Sequence, residues 1–155
     1  MMRTTSVLVT LLAAIAATAA PSVKASITQR AGPNLGEYVL TLRLQAIDMK
    51  LGSYQGTMRY TPGSLTIVSA MAPKGDGTRV VNVADSAKGI VRIAGFTVSG
   101  FTTQDALTLV VRTTGTLEAA NLSAELQVAG DLNGVAVPKD RLLPARGTSA
   151  ETGRD

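Results

Sequence analysis

The feature that most constrains the fold is an alternation of residue character along positions 54–60, followed by a tight turn. One set of alternate positions holds Tyr54, Gly56, Met58 and Tyr60. The positions between them hold Gln55, Thr57 and Arg59. Because successive strand residues point to opposite faces, this pattern predicts a strand that is buried on one side and wet on the other. Pro62-Gly63 supplies turn chemistry, and residues 65–71 predict a second strand after it.

The same period of two recurs along most of the chain after residue 25. The predicted inward-facing sets are Tyr38, Leu40, Leu42, Leu44 and Ala46, then Leu107, Leu109 and Val111, and then Leu122, Ala124, Leu126 and Val128. Further runs rich in β-branched residues predict strands at Ser26–Arg30, Leu65–Met71, Arg79–Val83 and Gly89–Phe96. Many short strands separated by turn signals predict an all-β protein, with one β-sandwich domain.

The N-terminus has the order of charge, apolar core and small residues that is typical of a secretory signal peptide. Arg3 precedes an apolar stretch over residues 7–20, which is shorter than the roughly 20 residues that span a bilayer. We therefore predict a cleaved signal rather than a membrane anchor, and a secreted, periplasmic or cell-envelope location. The candidate cleavage sites follow Ala19, Ala20 and Ala25. Cleavage after Ala20 would leave Pro21 first, so the sequence favours cleavage after Ala25.

Three segments follow from these patterns. Residues 1–25 are predicted to be the signal peptide, residues 26–137 the β-sandwich domain, and residues 138–155 a disordered tail. The tail loses the alternation and collects charged residues, proline and glycine. No transmembrane segment is expected after signal cleavage.

The composition argues against several kinds of site. The chain has no histidine and no cysteine, which excludes Ser-His-Asp and Cys-His nucleophile arrangements and the common zinc sites. No glycine-rich phosphate loop is present. The formal net charge of +4 is small, and Arg3 and Lys24 would leave with the signal, so nucleic-acid binding is not indicated. We predict a protein that is not an enzyme and has no cofactor, catalytic residue or bound metal.

Two acidic features have ordinary explanations. Glu118 and Glu125 are a possible carboxylate pair, but Glu125 has the outward parity of its strand and is interpreted as solvent-facing. The segment from Asp131 to Gly134 is similar to the start of a calcium loop, but it lacks the later bidentate glutamate. We predict a hairpin turn there instead.

Aromatic residues are scarce, which limits sugar recognition. Phe96 and Phe101 flank a predicted loop over residues 97–100 and are the only plausible exposed pair. If both are exposed together, they favour an alternative function as a carbohydrate-binding module with a polysaccharide partner.

Residues 54–69 resemble the most recognisable segment of cohesin domains and of related carbohydrate-binding-module-like sandwiches. In those domains a strand ending in a Tyr-Asp-Pro-like corner leads into a Leu-x-Val-type strand, and this chain has Thr61 in place of the aspartate. The other segments that follow the family order are Gly32, Tyr38–Ala46, Asn82–Asp85, Gly89–Ala94, Leu107–Arg112 and Asn121–Leu126. The resemblance implies a jelly-roll sandwich of about nine strands and a non-catalytic binding or scaffolding role.

The resemblance also implies a protein partner, either dockerin-like or another cell-surface component. The expected binding surface is a sheet face formed by outward-pointing residues. Arginine is favoured at protein interfaces, so outward arginines are the candidate contact residues. The outward arginines that we predict for this role are Arg43, Arg59, Arg92 and Arg112.

Overall fold

A computed structural model describes residues 20–151, which fold into two packed β-sheets. The long strands are β1 (Ser22–Ala31), β2 (Glu37–Ile47), β3 (Leu51–Arg59), β4 (Leu65–Met71), β5 (Thr78–Asn82), β6 (Ile90–Phe101), β7 (Thr103–Thr113) and β8 (Ser123–Asp131). The two-residue strands are β9 (Leu142–Leu143), β10 (Ala145–Arg146) and β11 (Ser149–Ala150). Single 3₁₀ turns lie at Ser86–Lys88, Glu118–Ala120 and Lys139–Arg141.

The strands divide between the sheets in a fixed order. The first sheet has the order β11-β1-β2-β7-β4, and β9 also pairs with β1. The second sheet has the order β10-β8-β3-β6-β5. Most neighbouring long strands run antiparallel, while β9 and β11 join β1 in parallel. This architecture confirms the predicted all-β sandwich.

The core lies between the sheets and is filled by the residues whose parity predicted burial. Leu40, Leu42 and Leu44 of β2 face inward from the first sheet, beside Leu107 and Leu109 of β7. From the second sheet, β3 contributes Tyr54 and Met58, and β6 contributes Val91 and Ile93. Alternation predicted these faces because the two sides of each strand meet different surroundings.

Strand β8 departs from the predicted alternation at a β-bulge. Gln55 of β3 pairs with Val128, but the next residue, Gly56, pairs with Leu126, so Gln127 is an extra residue. A bulge of this kind reverses which side chains face inward. Val128 is therefore 55% exposed and Ala129 is fully buried, and the predicted burial of Val128 is wrong. Leu126 is only partly buried.

Residues 138–151 contain three short strands, which corrects the prediction of a disordered tail for this part; residues 152–155 of the predicted tail lie outside the described residues. Its short strands close the sandwich, since β10 pairs with β8 and both β9 and β11 pair with β1. Ala145 is buried, and Leu142 packs partly against the core. Two-residue strands carry too little alternation to be recognised in a sequence.

The N-terminal boundary also differs from the prediction. Strand β1 begins at Ser22, four residues before the domain start that the sequence favoured. The predicted signal up to residue 19 lies outside the described residues. Among residues 20–151, no helix has the length and apolar character needed to cross a membrane.

Candidate functional site

The outer face of the second sheet carries a band of exposed apolar side chains. Strand register sets Val80 of β5 beside Ala94 of β6, and Gln55 of β3 lies between Ala94 and Val128 of β8. Phe96 follows two residues after Ala94 and points to the same face. Val80, Phe96 and Val128 are 53%, 56% and 55% exposed. We call Val80, Ala94, Phe96 and Val128 the outer-face band.

Charged side chains border this band at the end of the sheet nearer residue 59. Arg59 of β3 lies 4.0 Å from the Glu125 carboxylate. Arg92 of β6 is ion-paired with Asp85, and Lys88 donates to the same carboxylate at 3.1 Å. These hydrogen bonds, with Arg92 contributing most, lower the pKa of Asp85. Arg59 and Arg92 are therefore already paired within the domain.

The loop before β5 is hydrogen-bonded to β6 next to Phe96. The Asp76 carboxylate accepts hydrogen bonds from the hydroxyls of Ser99 and Thr97, which lower the pKa of Asp76. Thr97 is buried, and residues 97–100 belong to β6 rather than to the loop that the sequence predicted. These contacts fix the backbone that carries Phe96.

Phe101 does not share the surface of Phe96. Its ring is half-buried and meets the Tyr54 ring edge to face, with centroids 6.1 Å apart and an interplanar angle of 85°. Phe96 and Phe101 therefore do not form an exposed pair, because Phe101 packs against the core while Phe96 faces solvent.

The predicted arginines divide between opposite faces of the sandwich. Arg59 and Arg92 lie on the second sheet, whereas Arg43 of β2 and Arg112 of β7 lie on the outer face of the first sheet. Arg43 donates from Nε to Asp105 at 2.7 Å, a hydrogen bond that raises the pKa of Arg43. The four side chains therefore do not form one binding surface.

Arg112 holds a buried carboxylate at the start of β2. Its guanidinium donates to Glu37 Oε1 at 2.9 Å, and the Asn34 side-chain amide donates to Oε2 at 2.8 Å. The Glu37 side chain is almost fully buried. The hydrogen bond from Asn34 and then those involving Arg112 lower the pKa of Glu37, although burial opposes them.

We expect the stability that the Glu37 carboxylate contributes to the fold to be lost in acid. A carboxylate whose pKa is lower in the folded state stabilises it above the unfolded pKa, and this stabilisation is lost as pH falls through the folded pKa. Glu37→Gln should therefore lower stability at pH 7 and flatten its decline below about pH 4. Urea unfolding from pH 7 to pH 3 measures this effect. Glu118→Gln, at an exposed position, is the matched control, and an unchanged acid decline in Glu37→Gln would contradict the prediction.

The predicted turn at residues 131–134 is confirmed. Asp131 accepts hydrogen bonds from the backbone amides of Asn133 and Val135, each at 2.8 Å, and Gly134 has a φ of 77°. The carboxylate oxygen thus serves the turn itself. Within residues 20–151, no group of three or more acidic side chains is arranged to hold a metal ion.

One cavity lies at the end of the sandwich where the chain enters. It has a volume of about 490 Å³ and is lined mainly by apolar residues, among them Pro21, Met49, Val135 and Val137. Its ionisable groups are Asp131, Asp140 and Arg141. The Asp131 carboxylate accepts hydrogen bonds within the turn, and Arg141 Nε lies 3.8 Å from Asp140 Oδ2. This arrangement does not present a nucleophile together with a base.

Sequence reasoning found Phe96 but missed Val80 and Val128. Val80 lies between the half-buried Arg79 and Val81. Because β5 is a short edge strand, this alternation is too weak to show from the sequence which of its residues face outward. Val128 was assigned to the core because the bulge at Gln127 depends on the register with β3, which no local signal shows.

Comparison with known proteins shows the fold. No protein-family model and no curated protein sequence matches the chain. Among solved structures, a non-cellulosomal cohesin from Archaeoglobus fulgidus matches with a TM-score of 0.58 at 13% identity, covering 84% of this chain and 92% of that one. A chain of a type I cohesin–dockerin complex from Clostridium thermocellum matches with a TM-score of 0.58 at 10% identity, covering 83% and 99%.

A third match is the sixth cohesin of scaffoldin B from Acetivibrio cellulolyticus, solved in complex with a dockerin. Its TM-score is 0.59 at 12% identity, and the alignment covers 85% of this chain and 99% of that one. The chain therefore has a cohesin-type β-sandwich fold, as the sequence resemblance predicted.

Proposed function

We propose that this protein is an exported, non-catalytic module that binds a protein partner through the outer-face band of its second sheet. The observation that carries the proposal is that Val80 of β5, Phe96 of β6 and Val128 of β8, each about half exposed, lie on the same face of the second sheet. Apolar side chains grouped on a sheet face mark an interaction site, whereas single exposed ones need no explanation. The cohesin-type fold supports a binding role.

The opposite face of the sandwich is less suited to this task. Val39 and Thr41 lie at the centre of that face but are already buried by neighbouring side chains. Its exposed large apolar residues are Val68 and Met71 on the edge strand β4, Ile47 at the end of β2 and Leu143 in the two-residue strand β9. In the second sheet, by contrast, the exposed Phe96 of β6 and Val128 of β8 lie on the two strands that flank the central strand β3.

The partner is a protein with an apolar contact surface, and a dockerin-like domain is the type that the structural neighbours favour. Two of the matched cohesins were solved in complexes with dockerins. Arg59 and Arg92 are already engaged with Glu125 and Asp85, so the two predicted arginines on this face do not by themselves indicate an acidic ligand. Affinity is then supplied by burial of the band, and the paired charges form a polar rim that sets orientation.

Replacing band residues with aspartate should abolish this binding. The bait is the folded domain, carrying either the natural sequence or the double substitution Phe96→Asp and Val128→Asp. It is tested against a panel of purified type I and type II dockerins and against extracellular and envelope fractions of the source cells. We expect the double variant to lose at least about tenfold in affinity for any captured protein, because central apolar contacts carry most interface energy.

The matched control is the double substitution Val68→Asp and Met71→Asp, which introduces the same two charges at similarly exposed apolar positions on the other sheet. It should bind like the natural sequence. Equal binding by the double variant of the outer-face band would refute the assignment of this face.

Micromolar binding to a soluble oligosaccharide, lost in Phe96→Ala, would instead favour the carbohydrate-binding function. The packing of Phe101 against Tyr54 leaves that function without an exposed aromatic pair.

A further inference from the structure

The first four residues of β1 belong to the folded domain. Ser22 pairs with Ile47 and Ala25 pairs with Leu44, so this segment extends the ladder to the end of β2. Val23 is fully buried and Ala25 is only 3% exposed. Cleavage after Ala25 would therefore remove two core side chains together with four register pairs of the first sheet.

The same four residues also hold the C-terminal segment. Strand β9 joins β1 through the pairs Val23–Leu142 and Lys24–Leu143. A chain that began at Ser26 would leave β9 without its partner in β1. The N-terminal half of β1 thus supports both β2 and β9, which is inconsistent with its removal during export.

We propose that the exported chain is cut between Ala19 and Ala20, so that the mature protein begins at Ala20. Water adds across this amide, the C–N bond breaks, Ala19 leaves with a carboxylate, and Ala20 keeps a free amino group. The catalyst is the signal peptidase of the exporting membrane. Ala17 and Ala19 place small residues third and first before the cut, which is the spacing such a site has.

The structure places this bond where the cut leaves the fold intact. Ala20 and Pro21 are exposed and precede the first paired residue, Ser22. Cleavage one residue later would have to break the bond to the ring nitrogen of Pro21, which has no amide hydrogen. The inference depends on the predicted export signal and is independent of the proposed binding function.

N-terminal sequencing of the exported protein tests the cut. The full chain, with its own first 25 residues and a C-terminal affinity tag, is expressed in a secretion-competent bacterial host and purified from outside the cytoplasm. Edman sequencing and intact mass should both give Ala20 as the first residue. A first residue of Pro21 or Ser26, or an uncut chain, would overturn the proposal.

Two substitutions separate the competing sites. Ala19→Phe puts a large residue directly before the proposed cut and should reduce the processed fraction by about tenfold or more, since this position requires a small side chain. Ala25→Val, the matched change at the other candidate site, should leave processing at Ala20 unchanged. Loss of processing in Ala25→Val, with normal processing in Ala19→Phe, would show that the cut follows Ala25.

Discussion

Replacing Leu42 with alanine is expected to cost the domain about 2–5 kcal/mol of unfolding free energy, as truncation of a buried leucine does. Leu42 lies at the centre of β2, is 2% exposed, and pairs with Ile27 on one side and Leu107 on the other. Both neighbours are also buried, so the surrounding strands are held in register and collapse only partly into the cavity. Equilibrium denaturation in urea measures the loss.

Gln45→Ala is the control on the same strand. Gln45 points outward and is exposed, so this change should alter stability by no more than about 0.5 kcal/mol. A cost below about 1 kcal/mol for Leu42→Ala would indicate that the buried and exposed faces of β2 are reversed, because a one-residue slip moves every side chain to the other face.

The sequence predicted the central strands well because their two faces meet different environments. In β2, Leu40, Leu42 and Leu44 are buried, as their alternation indicated. In β7, Leu107, Leu109 and Val111 are all fully buried, as their alternation indicated. Where one face packs on the core and the other meets water, residue choice records the orientation.

Features that depend on distant parts of the chain were not predictable in this way. The bulge at Gln127 is defined only by the pairing of β8 with β3. The ion pair of Arg112 and Glu37 joins residues 75 positions apart. Because alternation is a local property, it cannot show which remote residue will oppose a given strand position.

The candidate binding residues also show that alternation cannot predict which distant residues share a face. Alternation placed Arg43, Arg59, Arg92 and Arg112 correctly on outward faces, and none of them is buried. It did not show that β2 and β7 share one sheet while β3 and β6 share the other. Strand order decides which outward residues share a face, and so Phe96 lies on the same face as Val80 and Val128 but with only two of the four arginines, Arg59 and Arg92.

Gly77→Ala is expected to destabilise the domain and also to weaken partner binding. Gly77 has a φ of 88°, and a Cβ atom built there would lie 2.0 Å from the backbone oxygen of Phe96. The left-handed conformation costs an alanine about 1–2 kcal/mol, and relieving the overlap adds about 1–3 kcal/mol. Because the overlap is with the backbone of Phe96, β6 must shift at this residue, which belongs to the proposed binding surface.

Gly36→Ala separates the conformational cost from the cost of the overlap with backbone. Gly36 has a φ of 77°, but no atom lies within 4 Å of its added Cβ, so only the conformational cost of about 1–2 kcal/mol should appear. Denaturation curves and partner titrations of both variants are compared at a temperature where each is folded. Gly36→Ala should bind with natural affinity, whereas Gly77→Ala should bind more weakly. Equal affinities would mean that the position of Phe96 does not govern recognition and would count against the outer-face band as the binding surface.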